Sequence, residues 1–266
     1  MLDLASIPAE LRCPVDPGLA RLEDAALTAS QPREQAIYDG WLLRYANGKA
    51  KRARSVNLIG AGDRPLETKL AYCAEFYRRR GVPFILRMTP FSRPLGIDAA
   101  LDRLGYVAAE DTRVMVAPLA VPPAVAAPGG PVETLDQATF GTVLAGLHGL
   151  DPVRAATERD RFAHAVFDGI YLAICEDGRA VACGSAVVDA NLVGIYGMVT
   201  AASHRGRGLA TRLVEELLRH ACVRGCTTAY LQVEAGNAPA RRAYSKFGFR
   251  DGYAYWYRWP PGEGKT

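Results

Sequence analysis

The sequence has no pair of cysteines in CxxC spacing, and its six cysteines (Cys13, Cys73, Cys175, Cys183, Cys222 and Cys226) lie mostly within apolar stretches. Histidine is scarce: the four present (His148, His164, His204, His220) include no HxxxH pair and none beside a cysteine pair. Together these absences leave no basis for a metal site and favour buried free thiols. No sign of charge dominates either, since 32 Lys+Arg against 28 Asp+Glu give a net charge of +4 spread along the chain. That excess is weaker than nucleic-acid binders usually carry, so charge alone names no partner. Long apolar runs are missing as well. The most apolar stretch, 114–130, is broken by Pro118, Pro122, Pro123 and Pro128, and the N-terminal MLDLASIPAELR carries acids and no apolar h-region. Neither a membrane span nor a secretory leader is expected, and a reducing cytoplasm is the expected location.

What is there has ordinary globular proportions: 49% hydrophobic and 23% charged residues in a chain of 266. At about 150 residues per domain this length corresponds to roughly 1.8 domains. The run VAPLAVPPAVAAPGGPV reads as an extended linker, because proline lacks the donor that a helix interior or a central strand requires. After it the patterning predicts a short strand at 132–135, helices at 137–147 and 153–167, and strands at 170–174, 181–188 and 192–200. Asp177-Gly178 is a favoured hairpin turn between the first two of the longer strands. Leu209, Leu213, Val214, Leu217, Leu218 and Ala221 then recur at helical spacing. A strand at 229–233, a helix from about Pro239 to Lys246 and an aromatic strand from Tyr253 to Trp259, with Tyr253, Tyr255 and Tyr257 on one face, complete the chain.

The first half repeats part of this order. Strands at 40–45 and 50–58 flank Asn47-Gly48, and helix 66–79, strand 83–88, helix 94–104 and strand 113–119 follow. LETKL at 66–70 matches LATRL at 209–213, and LDRLGY at 101–106 matches YSKFGF at 244–249. Two copies of one α/β unit are expected.

Between the strand ending near Thr200 and the helix starting near Leu209 lies Ser203-His204-Arg205-Gly206-Arg207-Gly208-Leu209-Ala210. Glycines let the backbone turn tightly against an anion, amides at a helix start point at it, and the helix dipole adds to the attraction. With Arg205 and Arg207 added, the turn reads as a pyrophosphate cradle. Neither GxxxxGK[ST] nor a GxGxxG opening a βαβ unit is present, so the phosphate belongs to something other than those nucleotide classes.

RGRGLA after a β-meander, then helix, strand, Asn237-Ala-Pro-Ala240 and Ala243-Tyr244-Ser-Lys-Phe-Gly248-Phe249, resembles the GCN5-related N-acetyltransferase (GNAT) family over about residues 170–258. The resemblance implies an α/β (α+β) fold of two tandem GNAT-like mixed-sheet domains. The second would have a β-meander, a cofactor-binding strand-turn-helix and splayed strands. Arg205, Gly208 and Ala210 match the family's Arg/Gln-x-x-Gly-x-Gly/Ala turn, so the resemblance implies that Arg205, Gly206, Arg207, Gly208, Leu209 and Ala210 hold the pyrophosphate of acetyl-CoA. It also implies that Met198, Val199 and Thr200 lend backbone amides to the pantetheine and the carbonyl oxygen. Asn237 would touch the pantetheine arm, and Tyr244 would stand near the thioester sulfur as a proton donor.

Elementary acid–base chemistry limits these roles. An amine of pKa about 10.4 is neutral in only about one molecule in 2,500 at pH 7, so some base or ordered water must take a proton. A thiol of pKa about 8.5 and a tyrosine of about 10 make full transfer from Tyr244 uphill by roughly 2 kcal/mol, which favours a hydrogen-bond role. Glu234, just past a strand, ranks first as base, with Tyr196, Glu176 and Asp189 as other acceptors. Family members often carry a Glu one residue before the last strand valine where this chain has Gln232, which leaves a water relay open.

The expected domains are thus 1–120, a degenerate GNAT-like copy; 121–131, a linker; and 132–266, a catalytic GNAT domain. In the first copy Gly62-Asp63-Arg64-Pro65 stands where the cradle would be, and an acid and a proline there argue against CoA binding. Its Lys49, Lys51, Arg52 and Arg54 read as charges on a solvated hairpin, or as a surface for an acidic partner. Arg78, Arg79 and Arg80 complement a helix end, and Trp41, Trp256 and Trp259 read as core. The expected function is acetyl transfer from acetyl-CoA to a primary amine of a small molecule or peptide, without metal or covalent acyl-enzyme. A non-catalytic acyl-CoA sensor on the same fold is the alternative, and a nucleic-acid or acidic-protein binder comes third.

Overall fold

A computed structural model describes the chain except residues 31, 33, 47–49, 120–130, 164, 166 and 264–266. The elements in order are α1 (Ala9–Arg12), α2 (Gly18–Ala29), β1 (Glu34–Tyr38), β2 (Trp41–Tyr45), β3 (Val56–Asn57), α3 (Leu66–Arg78), β4 (Leu86–Met88), α4 (Ile97–Arg103), β5 (Val107–Pro118), β6 (Val132–Thr134), α5 (Gln137–Leu147), α6 (Pro152–Ala163), β7 (Asp168–Glu176), β8 (Arg179–Asp189), β9 (Leu192–Thr200), α7 (Leu209–Val223), β10 (Thr228–Glu234), α8 (Ala238–Ser245) and β11 (Arg250–Trp259). Two compact units form, and both are discontinuous: residues 1–20, 30–113 and 252–266 make the first, 21–29 and 114–251 the second. The boundaries expected from the sequence, 1–120 and 132–266, differ from these units at both ends. Most of α2, from Arg21 to Ala29, belongs with the later residues, and most of β11 belongs with the earlier ones. The proline-rich linker at 121–131 falls, but for Pro131, outside the described residues.

In the first unit the strand order is β1-β2-β3-β4-β11-β5. β1, β2 and β3 form an antiparallel meander, β3 and β4 are parallel, and β11 runs antiparallel to β4 with Trp256 opposite Met88. Lying between two strands, β11 is buried on both faces, which explains its aromatic content. Tyr253, Tyr255 and Tyr257 alternate with Ala254, Trp256 and Arg258, and all six are under 6% exposed. Arg258 is tolerated there because Asp98 and Asp102 of α4 meet it at 2.8 Å. The three tryptophans are buried, as expected of core residues.

The hairpin expected around Asn47-Gly48 lies partly outside the described residues, at 47–49. The described tight turn is Asp39-Gly40, which joins β1 to β2 with both residues at positive φ (46° and 80°). The 50–58 segment is a short 3-10 turn at Lys51–Ala53 followed by the two-residue β3, rather than a long strand. Two of its cations, Lys51 and Arg52, make contacts with other elements rather than standing in a solvated row. Lys51 pairs with Glu110 and lies over the rings of Tyr257 and Trp259, and Arg52 donates to the Tyr255 hydroxyl at 3.4 Å. Lys49 is outside the described residues.

In the second unit the order is β5-β10-β9-β8-β7-β6. β6 to β9 are antiparallel neighbours and β9 pairs β10 in parallel. The apolar stripe predicted on α7 is the face that packs on this sheet, and Leu209, Leu213, Val214, Leu217, Leu218 and Ala221 are all nearly inaccessible. α5 and α6 cover other residues of the unit, with Phe140, Leu144 and Phe162 packed on Tyr171, Ala173 and Cys183. The sequence repeat is structural: β3-α3-β4-α4-β5 and β9-α7-β10-α8-β11 follow one plan. At matching points Gly105 N–H donates to Asp102 C=O and Gly248 N–H to Ser245 C=O, at 2.9 and 3.1 Å. Among the cysteines, Cys73, Cys183 and Cys226 are buried thiols and Cys13 is exposed. No helix among the described residues is long and apolar enough to cross a membrane.

Candidate active site

Parallel pairing of β9 with β10 starts at Leu192/Thr228 and stops at Ile195/Leu231, yet β9 continues to Thr200 and β10 to Glu234. The two strands part where the family resemblance places the thioester. On its other edge β9 stays paired with β8, but the register slips by one between Cys183 and Ser185, opposite Tyr196 to Val199. Such a bulge re-aims the backbone groups of the strand that carries it. Met198, on the bulge, lies against Gly184, where a Cβ would meet its Sδ at 2.3 Å.

Beyond Thr200 the chain makes a 3-10 turn (Ala202–His204) and enters α7 through Gly206 and Gly208, both left-handed at φ 77° and 78°. Space above both glycines is open, with no atom within 4 Å of a built Cβ. Gly208 caps α7 without any side-chain hydrogen bond, so the first-turn amides of Leu209 and Ala210 face outward. Arg205 is exposed, and its side chain makes no ion pair or hydrogen bond among the described residues. Arg207 is already engaged: its guanidinium donates to both carboxylate oxygens of Glu176, at 2.7 and 3.1 Å. Nε2 of His204 lies 3.3 Å from the same carboxylate.

That clamp decides the standing of Glu176 as a base. Hydrogen bonds from Arg207, then charge from Arg207 and His204, hold its carboxyl below the usual range, which makes it a poor proton acceptor. Asp189 pairs with Arg21 of α2 at 3.4 Å. Tyr196 meets the hydroxyl of Tyr230 at 2.8 Å across the last rungs of the β9/β10 ladder, and burial pushes the Tyr230 phenol far above its ordinary value. Tyr230 drew no attention in the sequence, because a buried tyrosine in an apolar strand has no signature until its partner is known. Glu234 sits exposed at the end of β10, without an ion pair among the described residues.

Asn237 is the N-cap of α8, its Oδ1 accepting from Ala240 N–H at 3.2 Å. Its amide nitrogen stays available, so the capping role and the expected pantetheine contact are compatible. Tyr244, the penultimate residue of α8, packs its ring edgewise on Phe249, with centroids 6.2 Å apart. Its hydroxyl makes no hydrogen bond among the described residues. Burial raises its pKa, so the phenol stays protonated through the neutral range. Among the described residues no group of three or more His, Cys, Asp or Glu is placed to hold a metal ion.

The family model described as Probable histone acetyltransferase Rv0428c C-terminal matches residues 18–258. The chain belongs to this acetyltransferase family. Uncharacterized N-acetyltransferase YobR of Bacillus subtilis is 26% identical over 233 residues, 82% of this chain and 89% of that protein. Mycothiol acetyltransferase of Corynebacterium glutamicum is 46% identical over 55 residues only, so the match spans 19% of that protein. Among solved structures, a GCN5-related N-acetyltransferase from Kribbella flavida superposes with a TM-score of 0.65 at 19% identity, covering 91% of this chain and 95% of the other. A tandem GNAT protein from the clavulanic acid biosynthesis pathway gives 0.57 at 17% identity, covering 75% of this chain and 70% of the other. The GNAT fold, in its tandem form, is thus the fold of this chain.

Proposed function

We propose that the chain is an acetyl-CoA-dependent N-acetyltransferase that acetylates a primary amine of a small molecule or peptide by direct attack, with the second unit as its catalytic part and the first as a copy that binds no CoA. The observation that carries this reading is the Gly206–Gly208 turn. Two left-handed glycines lie under open space, at the uncapped start of a 15-residue helix, beside an unengaged Arg205. Backbone amides, helix dipole and guanidinium there suit a pyrophosphate and leave room for it. Gly206, Gly208, Leu209 and Ala210 would supply the amides, and Arg207 would join once it exchanges Glu176 for phosphate.

The thioester arm would lie along Met198, Val199 and Thr200, where β9 has lost β10 as a partner, so that amides on that edge are available to the pantetheine and to the developing oxyanion. The amine nitrogen attacks the carbonyl carbon, the C–S bond breaks, and the thiolate leaves. Tyr244, whose pKa burial raises, stabilises that thiolate by donating a hydrogen bond and retains its proton at neutral pH. The proton from the attacking amine goes to Glu234 or to water held near it. Glu176 is a poor acceptor as long as Arg207 grips it.

Calorimetric titration of acetyl-CoA and desulfo-CoA into the wild type and Gly208→Asp tests the reading. Micromolar binding, about −8 kcal/mol, is expected for the wild type, and none for the variant, whose carboxylate would sit in the cradle. Thiol release with a panel of amines then identifies the acceptor. If the wild type binds neither ligand, the reading fails.

A further inference from the structure

The first unit has a strand-turn-helix in the position that the cradle occupies in the second, and there an anion is already bound: the carboxylate of Asp39. Both turns join a strand to the helix that crosses over to its parallel neighbour, β3-α3-β4 in one unit and β9-α7-β10 in the other. In the second unit the space above the turn glycines is open. In the first, a Cβ on Gly62, itself left-handed at φ 66°, would lie 2.2 Å from both Oδ2 and the backbone oxygen of Asp39. The Oδ1 of Asp39 accepts from Asp63 N–H and its Oδ2 from Arg64 N–H, each at 3.0 Å.

A cation completes the arrangement. Lys69 of α3, whose side chain is 2% exposed, places Nζ 3.1 Å from Asp39 Oδ2 and donates to Asp39 C=O and Ala61 C=O at 2.6 and 2.7 Å. The same ammonium sits 4.4 Å from the ring centroid of Trp41. Two amides and a buried ammonium converging on one carboxylate are what a small oxyanion site provides. These hydrogen bonds, those from the Asp63 and Arg64 amides foremost, lower the Asp39 carboxyl to about 2. The hairpin turn presents it, since Asp39 occupies the first positive-φ position of the Asp39-Gly40 turn.

We propose that the 59–65 turn of the first unit is an oxyanion-binding loop whose ligand is the chain's own Asp39 carboxylate, so that this unit is closed to an external anion and holds Lys69 buried through an internal one. The acid and proline of Gly62-Asp63-Arg64-Pro65 do not remove the anion site. Their backbone still makes one, for a ligand delivered by the neighbouring hairpin.

The test is thermal unfolding of the full chain with Asp39→Gly, which keeps a residue at ease at positive φ and removes the carboxylate. Unfolding is followed in sodium formate or inorganic phosphate, against sodium chloride at equal ionic strength. The variant is expected to melt below the wild type, and 100 mM formate to raise its melting temperature by about 3 °C more than chloride does, as mass action predicts for a site with a Kd of about 20 mM. The wild type should show no such difference, and adding Lys69→Met to the variant should abolish it. An Asp39→Gly protein as stable as the wild type, or one that formate and phosphate raise no more than chloride, overturns the proposal. Should Asp39→Gly not fold, Asp39→Asn serves. It keeps one of the two amide hydrogen bonds, since its Nδ2 cannot accept the other, and removes the charge; it is expected to lose the part of the wild-type acid unfolding that lies between pH 4 and 2, and an unchanged acid limb overturns the proposal. None of these readouts depends on CoA binding by the second unit.

Discussion

The guanidinium of Arg207 grips the carboxylate of Glu176 at two points, 2.7 and 3.1 Å. One of the two arginines of the proposed cradle is therefore held by the β7–β8 hairpin, and Arg205 would meet a ligand there first.

Releasing that grip should favour the ligand. Glu176→Gln is expected to tighten acetyl-CoA binding about threefold, the scale of a half-exposed ion pair, and the gain should shrink in 0.5 M salt. The Glu176 carboxyl is held below its ordinary value of 4.5, so the clamp is fully formed above that value. It lets go only as the pH falls through the lowered one, so acid conditions should mimic the substitution. An unchanged dissociation constant at both salt concentrations would show that Arg207 does not reach the phosphates.

Tyr244→Phe keeps the ring on Phe249 and removes only the hydroxyl. For an acetyltransferase, kcat should fall about 10- to 100-fold with little change in KM for acetyl-CoA, because the donor acts on charge that appears after binding. A non-catalytic acyl-CoA sensor would bind as before and have no turnover to lose. With its pKa raised by burial, Tyr244 should add no alkaline limb to the kcat profile below pH 10.

Gly184→Ala places a methyl 2.3 Å from Met198 Sδ. Destabilisation of about 1–2 kcal/mol is expected in denaturant unfolding, with weaker acetyl-CoA binding as the β9 bulge shifts. Met198→Ala in the same chain should recover more than additivity allows. Strict additivity would mean that the two residues do not press on one another.

Arg258→Met should cost about 3 kcal/mol, because Asp98 would lose the guanidinium that its two oxygens accept from at 2.8 Å. Arg258→Lys, with a single point of contact, should recover only part of this. Equal stability of Arg258→Met and the wild type would refute that account.

Much of this architecture was legible where a single pattern dominated. The α7 stripe, the Asp177-Gly178 turn and strand 192–200 agree with the structure almost residue for residue, because periodicity and turn chemistry act locally. The left-handed turn into α7 was legible from Gly206 and Gly208. Legibility ended where partners distant in sequence decide the outcome. Nothing near Arg207 announces Glu176, 31 residues away, and nothing near Lys51 announces Glu110. The Asp39 carboxylate in the turn of Asp63 and Arg64 lies beyond local pattern for the same reason. Helix α2 is a different case: Leu19, Leu22, Ala25 and Ala26 are buried at helical spacing, and Asp16 accepts from Gly18 N–H at its start, a signal present in the sequence but carried partly by alanines.

Strand β11 has a consequence for how the protein is made. Its residues from Gly252 onward belong with the first unit, beside β4. A ribosome that has released the first 131 residues has therefore not yet synthesised the strand that lies between β4 and β5. Until Trp256 to Trp259 emerge, Met88 and its neighbours lack the strand that they pair with in the folded chain, and the sheet of the first unit waits on residues made more than 150 positions later.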